Sequence, residues 1–475
     1  LRHVPRLVAL LTAVAATVTG TTGLANAATP SLSASAVTPA WGTYQTVAPA
    51  RVLDTRIGTG APKGPIGPGG TISISMPLTS GVPATGVSAV VLNLTVTAAT
   101  KPSYLTAWPA GTTRPTASGI NFVAGTNRAN LVTVPLGTIG SNAGRISIYN
   151  ALGTVQVIAD VMGYYVADGA TTAGGLYQRQ AVPQRLLDTR EAWFGGPLDA
   201  GWSVPVLVDY NDPATPEIDI NSHISALAVN ITAVKPTAPG YLTSWDGSAT
   251  LPTTSTLNFV PGAITPNMAI VPVGPCLDCT GEWYGKPSIS VLNGSAGTVD
   301  IIVDIVGFFD DGQLGDGFRF KPLTPTRIVD TRSGLGTTTF AGNQTRTISA
   351  PASVAGNDTY ALVTNTTAVR PTMPTFLTMW DADEIQPLVS NLNAVKGQIV
   401  ANATITDVGN GNVFDVYNSA GTTDVVVDVM GSMELIPNTV PTAARAASTP
   451  RVWTSQAAAQ PSRSWASKAA ALPAR

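Results

Sequence analysis

Residues 45–167 break into short runs rich in Val, Ile, Thr and Leu, near 51–56, 71–77, 87–97, 103–108, 119–123, 130–136, 145–149 and 154–166. Between them fall clusters such as Gly67-Pro68-Gly69-Gly70 and Pro109-Ala110-Gly111, residue types that adopt turn dihedrals at little cost. No segment sustains a helical 3.6-residue period. The runs at 154–166 and 422–429 are almost unbroken in apolar character, which predicts a central strand covered on both faces. Seven or eight strands of this kind in a domain of about 120 residues predict an all-β sandwich or jelly roll.

The same pattern occurs three times. Arg51-Val-Leu-Asp54-Thr55-Arg56 returns as Arg185-Leu-Leu-Asp188-Thr189-Arg190 and as Arg327-Ile-Val-Asp330-Thr331-Arg332. Asn93, Asn230 and Asn365 each precede a tryptophan by fifteen residues, at Trp108, Trp245 and Trp380. Each tryptophan closes a Tyr/Phe-Leu-Thr-x-Trp motif. Asn121, Asn258 and Asn393 follow, then Asn130, Asn267 and Asn402, and each copy ends in Asp-x-x-Gly, from Asp160, Asp304 and Asp428. Repeats this long are domains rather than solenoid units. They are expected at 45–167, 178–310 and 320–435, with short linkers at 168–177 and 310–318. The tail, 436–475, rich in Ala, Pro and Ser with scattered Arg and Lys, shows no strand pattern and reads as disordered.

The first 27 residues carry Arg2, His3 and Arg6, then an apolar run from Leu7 to Val18, then Ala25-Asn26-Ala27. This is the pattern of a secretory signal cut after Ala27, and it predicts an extracellular or cell-surface protein with 28–44 as a lead-in linker. No later stretch is long and apolar enough to span a bilayer. Only 11% of residues are charged and the net charge is −2, so no global field would hold a nucleic acid. Cys276 and Cys279 are the only cysteines; in a Gly/Pro-flanked loop of a secreted β domain they are expected to pair locally. His223 is the one histidine beyond the signal, so the sequence offers no repeated Ser-His-Asp or Cys-His device, no histidine metal cluster and no cofactor motif.

The repeated charges have three readings. Asp54 and Arg56, two apart on a strand, would share a face, and a bare Asp160 on a buried strand would be costly. A structural network is therefore expected in which Arg56 neutralises Asp54 or Asp160, Arg190 does so for Asp188 or Asp304, and Arg332 for Asp330 or Asp428. A catalytic carboxylate pair would require three identical active sites in a row. A calcium site is disfavoured by the neighbouring guanidinium. Trp108, Trp245 and Trp380 are either core residues or, if their face is solvated, platforms for sugar rings. The second copy adds Trp193, Phe194, Trp202, Trp283 and Tyr284 outside the repeated frame. Aromatic residues in loops mark it as the expected ligand-binding region.

Taken together, Arg-x-x-Asp-Thr-Arg, Tyr-Leu-Thr-x-Trp-Pro, Asn-Phe-x-x-Gly, Ala-Asn and Asp-x-x-Gly-Tyr-Tyr resemble a repeated domain of actinobacterial secreted and cell-surface proteins, with similar modules in actinophage structural proteins. The resemblance covers nearly all of 45–435, is clearest in the first copy, and implies an extracellular location and β repeats. Copy three departs from it at Gly431-Ser-Met and copy two through its Cys-containing insertion. The leading expectation is a non-catalytic binding or adhesion protein for a polysaccharide or cell-wall polymer, with tandem copies gaining avidity. A structural surface or coat component is the alternative, in which the copies pack as a single-chain pseudo-trimer. A glycan hydrolase would need Glu191, Asp246 and Glu282 of copy two.

Overall fold

In the computed structural model, residues 41–167, 174–211, 219–315, 317–435 and 465–468 are described. The expected signal segment, most of the lead-in linker and most of the tail lie outside them. Repeat one contains β1 (Gly42–Asp54), β2 (Thr71–Ser75), β3 (Val87–Thr97), β4 (Ser103–Pro109), β5 (Ile120–Phe122), β6 (Arg128–Pro135), β7 (Arg145–Asn150) and β8 (Gln156–Ala167). Repeat two contains β9 (Tyr177–Asp188), β10 (Trp202–Leu207), β11 (Ile224–Val234), β12 (Gly240–Trp245), β13 (Leu257–Phe259), β14 (Ile264–Pro272), β15 (Gly274–Pro275), β16 (Pro287–Asn293) and β17 (Asp300–Asp310). Repeat three contains β18 (Arg319–Asp330), β19 (Gln344–Ser349), β20 (Thr359–Val369), β21 (Thr375–Asp381), β22 (Leu392–Ala394), β23 (Ile399–Asp407), β24 (Val413–Asn418) and β25 (Asp424–Glu434). A last short strand, β26 (Ser467–Lys468), comes from the tail.

Each repeat is a two-sheet antiparallel sandwich. The inner sheets run β1-β8-β3-β6, β9-β17-β11-β14 and β18-β25-β20-β23, and the outer sheets carry β2-β7-β4-β5 and its counterparts. The apolar closing strands β8, β17 and β25 sit second from the β1-type edge of each inner sheet, paired on both sides and buried along nearly their whole length.

Strand alternation then decides what each inner sheet packs against. On β3, Val90, Leu92, Leu94 and Val96 enter the core of repeat one. Ala89 and Val91 face the other way, into a cluster drawn from all three repeats. Leu227 and Val229 against Ala226 and Ala228 repeat this division on β11. Leu362 against Ala361 and Val363 does so on β20. The shared cluster contains Tyr44, Tyr165, Tyr177, Phe309, Phe318 and Phe320, with Tyr165 stacked on Phe320 at 4.3 Å and Tyr44 against Phe309 at 4.4 Å between ring centroids. The three sandwiches are therefore fused round a common apolar centre. The inner sheets of repeats one and three also join into one eight-stranded sheet where Gly42 of β1 pairs with Phe320 of β18.

That centre accounts for the glycine of Asp-x-x-Gly. The ring of Tyr44 lies over Gly163, that of Tyr177 over Gly307 and that of Phe320 over Gly431, where any side chain would collide with the ring. The tyrosines also donate to the carbonyls of Met162 (3.1 Å) and Val306 (2.9 Å).

Four expectations need correcting. The opening strand starts at Gly42, ahead of the Arg-x-x-Asp-Thr-Arg motif, and ends at Asp54, so Asp54-Thr55-Arg56 is the turn after it. Asp54 Oδ1 accepts the Arg56 backbone N–H at 3.0 Å, a local bond that competes with strand extension. The segment 310–318 is no tether at its ends, because Asp310 and Phe318 are buried and Phe318 bridges Tyr177. Tyr177, placed in the first linker, is fully buried at the start of β9. The tail was expected to hold no strand, yet β26 pairs with β10 and Trp465 packs near Leu207.

Candidate functional site

The repeated charges sit at the junction of the first and last strands of each repeat. Arg51 Nε donates to Asp160 Oδ1 at 2.9 Å and its Nη1 to Asp54 Oδ2 at 3.3 Å. Arg56 makes two bonds to Asp54, at 2.9 and 2.7 Å. Arg185, Arg190, Asp188 and Asp304 repeat the arrangement in copy two, and Arg327, Arg332, Asp330 and Asp428 in copy three. The second arginine of the motif takes one of its two expected partners: Arg56, Arg190 and Arg332 pair with Asp54, Asp188 and Asp330, and neutralising the closing aspartate, the other expectation, falls to a different arginine. Arg51, Arg185 and Arg327 do that, while Arg56, Arg190 and Arg332 brace the turn.

Burial pushes the Asp54 carboxyl up, but the bonds from Arg56 outweigh it and hold the group below the ordinary range; Asp188 behaves likewise with Arg190. Asp330 is held low chiefly by its bond from Arg332. Asp304, almost wholly buried, is pushed up to about 6 by desolvation despite Arg185. Both oxygens of each closing aspartate receive a guanidinium N–H, an arrangement suited to holding strands. Among the described residues no group of three or more His, Cys, Asp or Glu is placed to hold a metal ion.

The tryptophans and asparagines serve the turns and the seams. Trp108, Trp245 and Trp380 are 6%, 8% and 4% exposed. Their indole N–H groups donate to Thr112, Ser248 and Glu384 carbonyls at 3.1, 2.9 and 3.2 Å. The threonine two residues earlier, Thr106, Thr243 or Thr378, donates across the loop to Ala117, Thr254 or Val389. The Tyr/Phe-Leu-Thr-x-Trp motif thus clamps one loop, and its tryptophans are core residues.

The asparagines on the outward face of β3, β11 and β20 reach the next repeat in a cycle. Asn93 bonds Ser255 and Asn267, Asn230 bonds Ser390 and Asn402, and Asn365 bonds Ser118 and Asn130. Asn130 Oδ1 accepts the Ala403 N–H and Asn402 Oδ1 the Met268 N–H. Asn267 Oδ1 has no such partner among the described residues.

The five loop aromatics of copy two do not form one site. Phe194 is 1% exposed and Trp202 is half-buried against the same core. Trp193, 40% exposed, meets Phe194 edge-on at 6.0 Å. Trp283 packs on the Cys276–Cys279 disulfide with Trp465. Tyr284, 63% exposed, lines a shallow cleft with Asn211, Asp219 and Lys286. Trp202 adjoins the Ser203↔Leu292 end of β10, whereas Trp283 and Tyr284 precede the end marked by Leu207↔Ser288. About 14 Å of strand separates those two ends. Glu191 and Glu282 lie in two different loops and Asp246 caps its own turn by accepting Ser248 N–H. His223 pairs with Asp311 at 3.0 Å on the surface.

A larger cavity, of about 650 Å³, opens at the seam where repeat three meets repeat one. Repeat three contributes Arg327, Arg332 and Arg370, and repeat one contributes Lys101, Tyr104 and Phe122. Among the described residues no acid lines it. The aromatic residues of the sequence point to copy two; the signal for this cavity is the combination of Arg370 with Lys101, since the positions equivalent to Lys101 hold Ala238 and Met373.

Compared with known proteins, the chain matches no family model and no curated protein. Among solved structures it is similar to one described as the triple jelly roll fold and turret assembly in an archaeal virus, at 10% identity and TM-score 0.16, over 82% of this chain and 90% of that one. It is also similar to the atomic structure of Sulfolobus Turreted Icosahedral Virus, at 9% identity and TM-score 0.15, over 83% and 91%. No helix among the described residues is long and apolar enough to cross a membrane.

Proposed function

We propose that this chain is a non-catalytic, extracellular surface-binding protein, a stiff three-sandwich body that presents its ligand contacts at loops and seams. One observation carries the reading: the residues that recur in all three copies are engaged in holding the fold. The arginines, aspartates, asparagines and tryptophans of the motifs bond to one another or to backbone. A repeated catalytic pair would have to come from this set. Residues that differ between copies are left to supply recognition. The Cys276–Cys279 disulfide suits an oxidising compartment, as does the signal-like N-terminal pattern. The ligand class that suits such a body is a polysaccharide or cell-wall polymer.

A second reading, a structural surface or coat component, is favoured by the fusion of the repeats round one apolar centre, since a single-chain pseudo-trimer presents near-equivalent sides for lateral packing. Pull-down of the purified chain with insoluble polysaccharides and isolated cell walls, run beside sedimentation velocity, separates the two. Saturable depletion with a monomeric sedimentation profile is expected. Concentration-dependent assembly without depletion would replace binding with the coat reading.

A further inference from the structure

We infer that the seam between repeats three and one is a binding site for an anionic saccharide unit, a sugar ring bearing a carboxylate or phosphate. The inference deepens the binding reading above and rests on it. The cavity's volume of about 650 Å³ falls within the range of sites that enclose small ligands. Its cations divide into two kinds. Arg327 and Arg332 are held by Asp428 and Asp330, so their charges are largely balanced and their planes are fixed. Lys101 and Arg370 are both exposed, and the side chain of neither pairs with an acid among the described residues. The cavity therefore carries two uncompensated positive charges beside two ordered guanidinium groups. Tyr104, half-buried and tilted 53° against Tyr149, offers an aromatic face beside them, and Phe122 adds an apolar wall. Cations that grip acid oxygens next to an aromatic face match a ring that is apolar on one side and anionic at its edge.

The pseudo-threefold frame supplies an internal control. Ala98, Lys235 and Arg370 are equivalent, each adopting the left-handed conformation directly after the long inner strand, at φ 51°, 45° and 48°. Lys101, Ala238 and Met373 are equivalent as well, each following a threonine (Thr100, Thr237, Thr372) that bonds the next hairpin. The residues at the equivalent positions are Ala98 and Ala238 for the seam between repeats one and two, and Lys235 and Met373 for that between two and three. Among the described residues only the seam of three and one has cations at both positions, although the positive φ and the threonine bond recur in every copy. The positive φ is imposed by the turn in every copy, so it makes no demand for arginine. Ligand recognition gives a reason for the charge.

The test is a binding titration of the full secreted chain with three probes: an oligogalacturonate, a glycerol-phosphate oligomer and a neutral cello-oligosaccharide. It compares the parent with Arg370→Ala, Lys101→Ala and the double variant. Each alanine is the residue the chain itself uses at an equivalent position, so the variants are expected to fold. Binding of at least one acidic probe at least tenfold tighter than the neutral one is expected, with a further loss of tenfold or more in the double variant and a shallower salt dependence. Which acidic probe wins tells carboxylate from phosphate. Acidic-probe affinity unchanged in the double variant, or no acidic binding by the parent, overturns the site. If cell-wall depletion persists in either of those cases, the binding function stands without this site. If the parent is depleted by no material, the binding reading falls too.

Discussion

At the seam between repeats two and three, Arg179 is buried and bonds Asp407 at 2.8 Å and Asp381 at 2.9 Å. At the seam between three and one, Arg370 and Lys101 line a cavity with no acid among its described lining residues. Each charge pattern is peculiar to one seam. Thr46 and Pro322 occupy the places equivalent to Arg179, and Pro135 and Pro272 those equivalent to Asp407. The same backbone has thus received cations for opposite ends. One is desolvated and locks two repeats together; the others stay in water, where their charge remains available. A copy-specific charge is accordingly informative only once its surroundings are known.

The sharpest break of this comparison is Arg179→Thr, which installs the residue of copy one and strands two buried carboxylates. A loss of about 3–5 kcal/mol is expected in denaturant unfolding, the range for removing one partner of a buried ion pair. Adding Asp407→Pro should recover a large part of it, since Pro135 and Pro272 pair with Ala89 and Ala226 in the register where Asp407 pairs with Ala361. If Arg179→Thr melts like the parent, the lock is not at this seam.

Next in size is a pH effect. Burial pushes the Asp407 carboxyl up, Arg179 draws it down and neighbouring Asp381 raises it again, leaving it at about 6. One guanidinium serves two carboxylates, so the arginine stays firmly charged while one acid holds its proton more readily. Below the ordinary value of 3.8 Asp407 is protonated folded or unfolded, and its contribution is fully present. As pH rises toward 6 the unfolded chain ionises first, and the contribution disappears. The shift corresponds to roughly 3 kcal/mol between those limits. Asp304, also at about 6, acts in the same direction. Asp407→Asn should therefore flatten, without abolishing, the fall in stability from pH 4 to 6.5. An unchanged slope would place Asp407's proton elsewhere.

The strands and the repeat frame were legible because a two-residue period and turn chemistry are local. The role of Arg51 was not, although it heads the motif. Strict alternation puts residues 51 and 54 on opposite faces, but β1 is irregular between Arg51 and Leu53, and that irregularity turns Arg51 toward both Asp54 and Asp160. The asparagines were visible as repeated polar positions on apolar strands. Their partners lie in the next copy, and a repeat alignment does not distinguish a bond within a copy from one between copies. Arg179 and Asp407, 228 residues apart, leave no repeat signal at all. The aromatic insertions of copy two stood out in the sequence, yet Phe194 and Trp202 were needed to fill the core under a long loop.

The asparagine cycle offers a finer comparison. Asn130→Ala would strip the acceptor from Ala403 N–H and the donor from Asn365 Oδ1. Asn267→Ala removes a side chain whose oxygen accepts nothing among the described residues. Both substitutions should destabilise, Asn130→Ala by about 1 kcal/mol more, the scale of one buried bond left unmade. Equal losses in thermal unfolding would show that the cycle is symmetric in solution.

The smallest expected effect is the most discriminating. Arg370→Ala together with Lys101→Ala should leave stability within about 0.5 kcal/mol of the parent, as for surface substitutions that break no contact. The comparison with Arg179 depends on this near-zero value. A cation kept for the fold reveals itself when removed, as Arg179 should, whereas one kept for a ligand leaves the empty protein unchanged. The positive φ at Arg370 is no obstacle, because Ala98 adopts it at the equivalent turn. Relief of repulsion between the unpaired cations and the guanidinium pair should offset part of any loss at low salt. A drop of several kcal/mol would instead make these residues a second structural lock, and the two seams would then differ only in how deeply their charges are buried.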